Sequence, residues 1–178
     1  MSALLKLSWQ DNRVRGWLGA TRKQAAILSG AVVIMHPEMY HTGREALVRL
    51  GQWAALENHP DICEVLVVWP SIYNVASIMM NWASPIHVDH FGRPQWMDLL
   101  VTFGNYMDLH FIISSIHSRF LYEPGMVIAL SGQLLLHGVG HTNGDCGVIL
   151  YYMQDNVHEF ITIPWCNYME YRQALNTF

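Results

Sequence analysis

Apolar positions in the first sixty residues recur at helical spacing, whereas beyond residue 61 they gather in short runs separated by turn residues. Ala46, Leu47, Leu50, Trp53, Ala54 and Leu56 follow one face of a 3.6-residue repeat. Thr42-Gly43-Arg44-Glu45 ahead of them has the form of a capping box, in which Thr and Glu side chains satisfy orphan backbone N–H groups. The pattern predicts an amphipathic helix from Thr42 to about Asn58, with His59-Pro60 as its stop. A weaker helical pattern covers residues 21–28, followed by the β-branched run Val32-Val33-Ile34 before Pro37.

Runs rich in Val, Ile, Leu, Tyr and Phe then predict strands over residues 62–69, 72–80, 98–103, 108–116, 126–130, 134–139, 148–153 and 157–163. Between them stand Pro70, Pro85, Gly92-Arg93-Pro94, Gly104-Asn105, Pro124-Gly125, Gly140 and Asn143-Gly144, all suited to turns. Eight short strands with almost no helix between them point to a mainly β fold, an antiparallel sandwich or jelly roll. Residues 165–175 read as a closing helix. No repeat, low-complexity tract or Ser/Gly linker interrupts the chain, so the expectation is one domain over 1–178. Residues 1–60 would form a helical support, 61–164 the jelly-roll core and 165–178 the closing segment.

Composition narrows the function classes. The 178 residues are 52% hydrophobic and 13% charged, against about 25% charged in an ordinary soluble domain, which excludes a disordered chain. Seven Trp, eight Tyr and six Phe supply aromatic walls for a core or pocket. The longest apolar stretch, residues 25–35, falls short of the roughly 20 residues a membrane span needs, and no basic-then-apolar opening suggests a secretory signal. Cys63, Cys146 and Cys166 form no C-x-x-C pair, and an odd count fits a reduced, cytoplasmic setting. The net charge of −4 conceals an asymmetry: residues 1–50 hold seven basic and three acidic groups, residues 51–178 three basic and eleven acidic. A duplex-binding face needs several Lys or Arg to displace counterions. The acidic later part therefore points to a small-molecule substrate, with no duplex nucleic acid and no membrane as partner.

The chemistry rests on His87-Val88-Asp89 and on His137. On an extended strand, side chains at i and i+2 point to one face, so His87 and Asp89 can meet a single ion. A distant His completes two imidazoles and one carboxylate on one face of an octahedron. The opposite positions stay open, as in non-haem Fe(II) oxygenases. With ten His in the chain, an H-x-D pair also arises by chance, and a surface or turn pair is the alternative. His137-x-x-x-His141 has the spacing of a helical zinc pair, but Gly138, Gly140 and Gly144 argue against a helix there.

The context of these residues is Pro85-Ile86-His87-Val88-Asp89 before a Gly-Arg-Pro turn. Later, residues 122–132, with Pro124-Gly125, an apolar run and Gly132, lead into Leu136-His137-Gly138-Val139. Over residues 81–100, 120–139 and 143–159, the chain resembles the 2-oxoglutarate/Fe(II) oxygenase superfamily. More narrowly, it resembles the small TET/J-binding-protein-like oxygenase domains of mushroom-forming fungi. The match covers roughly half of the chain and none of the first sixty residues. The resemblance implies a double-stranded β-helix, Fe(II) held by His87, Asp89 and His137, O2 as oxidant, and 2-oxoglutarate as cosubstrate.

One departure bears on the cosubstrate. The family usually places an Arg or Lys about nine to eleven residues after the distal His, where it pairs with the far carboxylate of 2-oxoglutarate. Here Gly144-Asp145-Cys146-Gly147 stands there, with Cys146 at the Arg position. Three readings compete. Arg119, or Arg93, replaces the clamp; or an iron enzyme binds its substrate directly, without 2-oxoglutarate; or a non-catalytic binding protein keeps the fold. Tyr73 and Asn81 are candidates to face the cosubstrate, by the same resemblance. His90, His141 and Trp82 are candidates for the substrate pocket, with a solvated turn, a loop and the core as their respective alternatives. Oxidation of a C–H bond in a small, rather hydrophobic metabolite is the expected activity.

Overall fold

The computed structural model describes residues 12–170. Helix α1 (Asn12–Met35) is one continuous helix that takes in the β-branched run Val32 to Ile34. Leu18, Ala25, Ser29 and Val32 are all buried, at spacings of seven, four and three, so burial of one stripe overrides the weak helix propensity of Val and Ile. Pro37 ends α1 and opens α2 (Pro37–Leu56), since its missing N–H is harmless at the first helical position. Helix α2 therefore begins five residues before Thr42. Its N-cap is the buried His36, whose Nδ1 accepts from the Met39 N–H at 3.4 Å. Thr42 lies inside the helix, its hydroxyl donating back to the carbonyls of Glu38 and Met39, and Glu45 pairs with Arg49 at 2.7 Å rather than closing a capping box.

Two expected strands are helices. Residues 62–69 fall in α3 (Pro60–Val68), and residues 157–163 overlap α4 (Asp155–Phe160). Both runs are short and apolar, a pattern that periodicity alone assigns to neither state. The arbiters are Pro60 and Asp61 in the first turn of α3 and Asp155 in that of α4, groups suited to the positive end of the helix dipole. The expected closing helix is absent over residues 165–170, which carry no regular structure. Residues 171–175 lie outside the described residues. Among the described residues no helix is long and apolar enough to cross a membrane.

The chain divides into two compact units. One runs to Asn74, resumes at Gln154 and contains the four α-helices of the described residues. There Ile161 and Ile163 pack with Ala46, and the amide of Asn74 brackets Gln154, accepting from its N–H at 2.9 Å and donating to its carbonyl at 3.0 Å.

The other unit, Val75–Met153, holds every strand among the described residues: β1 (Val75–Met80), β2 (Ser84–His87), β3 (Asp98–Tyr106), β4 (His110–Ile113), β5 (Ser118–Leu121), β6 (Val127–Leu130), β7 (His137–Val139) and β8 (Gly144–Tyr152). They form two four-stranded antiparallel sheets, ordered β1-β8-β3-β6 and β2-β7-β4-β5. This order is compatible with a jelly roll. Two strands escape the sequence pattern: β5, and β2, which contains Pro85. Pro is tolerated in β2 because it is an edge strand and owes no N–H to a second neighbour. Leu100, Leu130, Cys146 and Val148 of the first sheet share one core with Phe111 and Ile113 of the second, so the sheets are layered face to face.

The start of α2 gives a direct test. With His36 as the cap, Thr42→Ala leaves stability unchanged or raises it by a few tenths of a kcal/mol, because Ala is the better helix former. Loss of a true N-cap would cost about 1 kcal/mol. Urea denaturation of the two proteins separates these outcomes.

Candidate metal centre

The site is built on the edge pairing of β2 with β7, where His87 stands directly opposite His137. The register slips between Ser84 and His87: three residues of β2 span the two that separate His137 from Val139. This extra residue is a β-bulge, and it lets Ser84 and His87 face the same side although they are an odd number apart. Gly138 accommodates the bulge, since a Cβ there would stand 2.9 Å from the carbonyl oxygens of Ser84 and Pro85.

Hydrogen bonds orient both imidazoles. Nδ1 of His87 lies 2.8 Å from the carbonyl oxygen of Pro85, and Nδ1 of His137 lies 2.8 Å from that of Leu135. A carbonyl only accepts, so each Nδ1 carries the proton and each Nε2 keeps its lone pair for a ligand. Both Nε2 atoms face Asp89, at 3.5 Å from Oδ1 for His87 and 3.7 Å from Oδ2 for His137. All three ligand atoms lie within 4.8 Å of one another. Asp89 is braced against the turn before β7, its N–H donating to the Gly132 carbonyl at 2.9 Å. Its carboxylate fills the space over Gly132, so a side chain at that position would overlap Asp89 Oδ2.

A second carboxyl shares this hollow. Asp98, at the start of β3, is buried, and burial with the neighbouring Asp89 charge pushes its pKa up to about 8, partly offset by a hydrogen bond from the Gly132 backbone. An acid opening an otherwise apolar strand was the available clue to Asp98. Gly132 stands in the sequence only as the break between two apolar runs.

The His–Asp–His group lines a cavity of about 210 Å³, together with Trp82, Asp98, Phe111, Tyr122, Cys146 and aliphatic side chains of both sheets. That is smaller than the roughly 300–1,000 Å³ usual for pockets of drug-sized ligands. Of the remaining sequence candidates, Trp82 and Cys146 reach this cavity. His90 and His141 are exposed and stand outside it, His141 beside a separate small pocket with Asn81. Asn81 holds the backbone of Cys146 from both sides, its N–H donating to the Cys146 carbonyl at 2.7 Å and its Oδ1 accepting from the Cys146 N–H at 2.8 Å. Tyr73 belongs to the helical unit, its N–H donating to the Ser71 hydroxyl. Arg93 is in the loop before β3 and does not line the cavity. Arg119 is exposed on β5 opposite Ile112, and its guanidinium meets His110 Nδ1 at 3.0 Å. Phe111 and Ile113 of the neighbouring strand face the core, so Ile112 and Arg119 face away from it.

The donor set fits a divalent cation: two nitrogens with fixed tautomers and one carboxylate, converging on an open cavity. It does not fit 2-oxoglutarate, because among the described residues no Lys or Arg lines the cavity to pair with the far carboxylate. This arrangement defines a candidate mononuclear metal centre of the two-His, one-carboxylate class. No family model and no curated protein matches the chain. Among solved structures, it is similar to NgTET1 in complex with 5mC DNA, with 15% identity and a TM-score of 0.45 over 60% of this chain. The chain spans 42% of the length of that neighbour.

Two outcomes follow from the hollow at Gly132. Gly132→Ala pushes the Asp89 carboxylate aside and weakens Fe(II) or Co(II) binding by about 10–100-fold, measured by anaerobic metal titration, while the circular dichroism of the fold is kept. Asp98 is protonated in the folded metal-free protein up to about pH 8, but ionises near pH 3.9 when unfolded. The folded state therefore holds the extra proton between these values, and the contribution of Asp98 to stability falls as pH rises from about 4 to about 8. Asp98→Asn removes that part of the slope in denaturation midpoints measured across the range.

Proposed function

We propose that this protein is a mononuclear non-haem Fe(II) oxygenase on a double-stranded β-helix, acting on a small, rather hydrophobic molecule. The observation that carries the reading is the convergence of His87 Nε2, His137 Nε2 and an Asp89 oxygen at the wall of a mostly apolar cavity. Iron bound there would supply O2 activation at the coordination positions the protein leaves open. The chain's own part is to hold the donors and exclude water. Pro85 and Leu135 fix the imidazole tautomers, Gly132 seats the carboxylate, and the aliphatic and aromatic lining keeps the substrate dry.

Of the two enzymatic readings, binding of the substrate without 2-oxoglutarate is favoured by the absence, among the described residues, of a cation along the cavity wall and by the outward position of Arg119. Both atoms of O2 then enter the organic product, which needs no second reductant. Duplex DNA is not the partner in this reading: the β unit carries two Arg and five acids, too little positive charge to replace counterions.

Protein purified without oxygen is expected to retain one Fe(II), and His87→Ala or Asp89→Ala to lose affinity by about 100-fold or more. Equal metal content in wild type and variants would sink the assignment, and stoichiometric zinc with no uptake of Fe(II) would redirect it to Lewis-acid chemistry. Screening O2 uptake by the iron-loaded protein against small apolar acids, phenols and thiols, with and without 2-oxoglutarate, separates the two enzymatic readings.

A further inference from the structure

The cavity has two chemically distinct ends. At the outer end stand the half-exposed His87 and Asp89, with the buried Asp98 beside Asp89 and Leu130 opposite Asp98. From there Leu100 and Val148 lead along the first sheet to Cys146, which lies opposite Gly104, six residues further along β3; with Tyr122 they form the inner end, all buried. The Phe111 ring stands between the ends, its centroid 5.7 Å from that of His137 and 5.3 Å from that of Tyr122.

The polar atoms of the inner wall carry no charge. Burial pushes both the Cys146 thiol and the Tyr122 hydroxyl above their usual ranges, so both are neutral at pH 7. The Tyr122 hydroxyl is enclosed with no hydrogen-bond partner. A carboxylate brought to this end would lose its hydration and find no cation among the described residues, with only the neutral Tyr122 hydroxyl and Cys146 thiol as donors, which costs several kcal/mol. An alkyl chain placed there gives up water for contact with aliphatic side chains, which is favourable.

Resting on the reading of the site as an Fe(II) centre, we infer that the cavity takes an amphiphile with a metal-chelating head and an uncharged, apolar tail, and rejects ligands whose far end is a carboxylate, 2-oxoglutarate included. The residue that sets this preference is Cys146, which lines the inner wall from β8 and is held there by Asn81. It is a specificity-determining position rather than a catalytic one.

The test uses two 2-oxo acids of similar length that chelate iron through the same head. 2-Oxoglutarate ends in a carboxylate, and 2-oxohexanoate ends in a methyl group. Iron retention is measured first, and each acid is then titrated anaerobically into the Fe(II) protein while its charge-transfer band is followed. The expected result is that 2-oxohexanoate binds at least about tenfold more tightly, a difference of about 1.4 kcal/mol. Cys146→Arg is expected to reverse the order without changing iron retention, because a guanidinium at this position can fork onto a carboxylate. Equal or tighter binding of 2-oxoglutarate by the wild type overturns the inference and leaves the metal assignment standing. So does binding of neither acid by iron-loaded protein. Failure to retain iron at all removes the chelation the inference relies on, and places the fault in the metal assignment. The wild-type comparison decides the matter even if the Arg variant does not fold.

Discussion

The candidate centre depends on one irregular pairing between two short strands. In a regular antiparallel ladder, residues an odd number apart point to opposite faces, so Ser84 and His87 could not share a side. The bulge in β2 changes that parity and sets His87 across from His137. Asp89 then follows at i+2, and its backbone is tied to Gly132. The three ligand groups come from segments nearly fifty residues apart in sequence, yet they are positioned by backbone contacts rather than by flexible side-chain reach. Glycines 132 and 138 mark where backbone or carboxylate oxygens come too close for a Cβ.

Electrostatics of the cavity follow from the same layering. The inward faces of the sheets supply mostly apolar side chains, so any charge among them is stabilised only where a partner exists. At the outer end, a divalent ion between His87, His137 and Asp89 would supply that partner for the carboxylates. In the absence of positive charge, Asp98 remains protonated beside Asp89. At the inner end, Cys146 and Tyr122 stay neutral, and the cavity discriminates by polarity. Arg119, expected as a cation for this space, is directed away from it by the alternation of its strand.

Turn and strand chemistry worked in opposite directions along the chain. Gly104-Asn105 and Gly144 read as breaks, yet β3 runs through the first and β8 begins at the second, and the two pair along eight residues each, from Leu99 opposite Tyr151 to Tyr106 opposite Gly144. Pro85, also read as a break, lies within an edge strand, where its missing donor has no consequence. Conversely, residues 62–69 and 157–163 look like strands by composition and are helical, because the residues just before each run favour a helix start.

The grouping of His87, Asp89 and His137 was legible in the sequence, because H-x-D places two side chains on one face of any extended segment and His137 follows an apolar run. So were strands β1, β3, β4, β6, β7 and β8, since alternation and turn residues are local properties, but not β2, which carries His87, or β5. Cys146 was also visible as an uncharged residue where a cation was expected. Tertiary structure alone decided the rest. It determined that an odd register brings His87 to His137, that Gly132 seats the Asp89 carboxylate, and that Asp98 is buried beside it. It also determined that Arg119 faces outward while Tyr122 faces the cavity core. These outcomes depend on which strands become neighbours and with what offset, and pairing across long loops leaves no periodicity in the chain from which to read it.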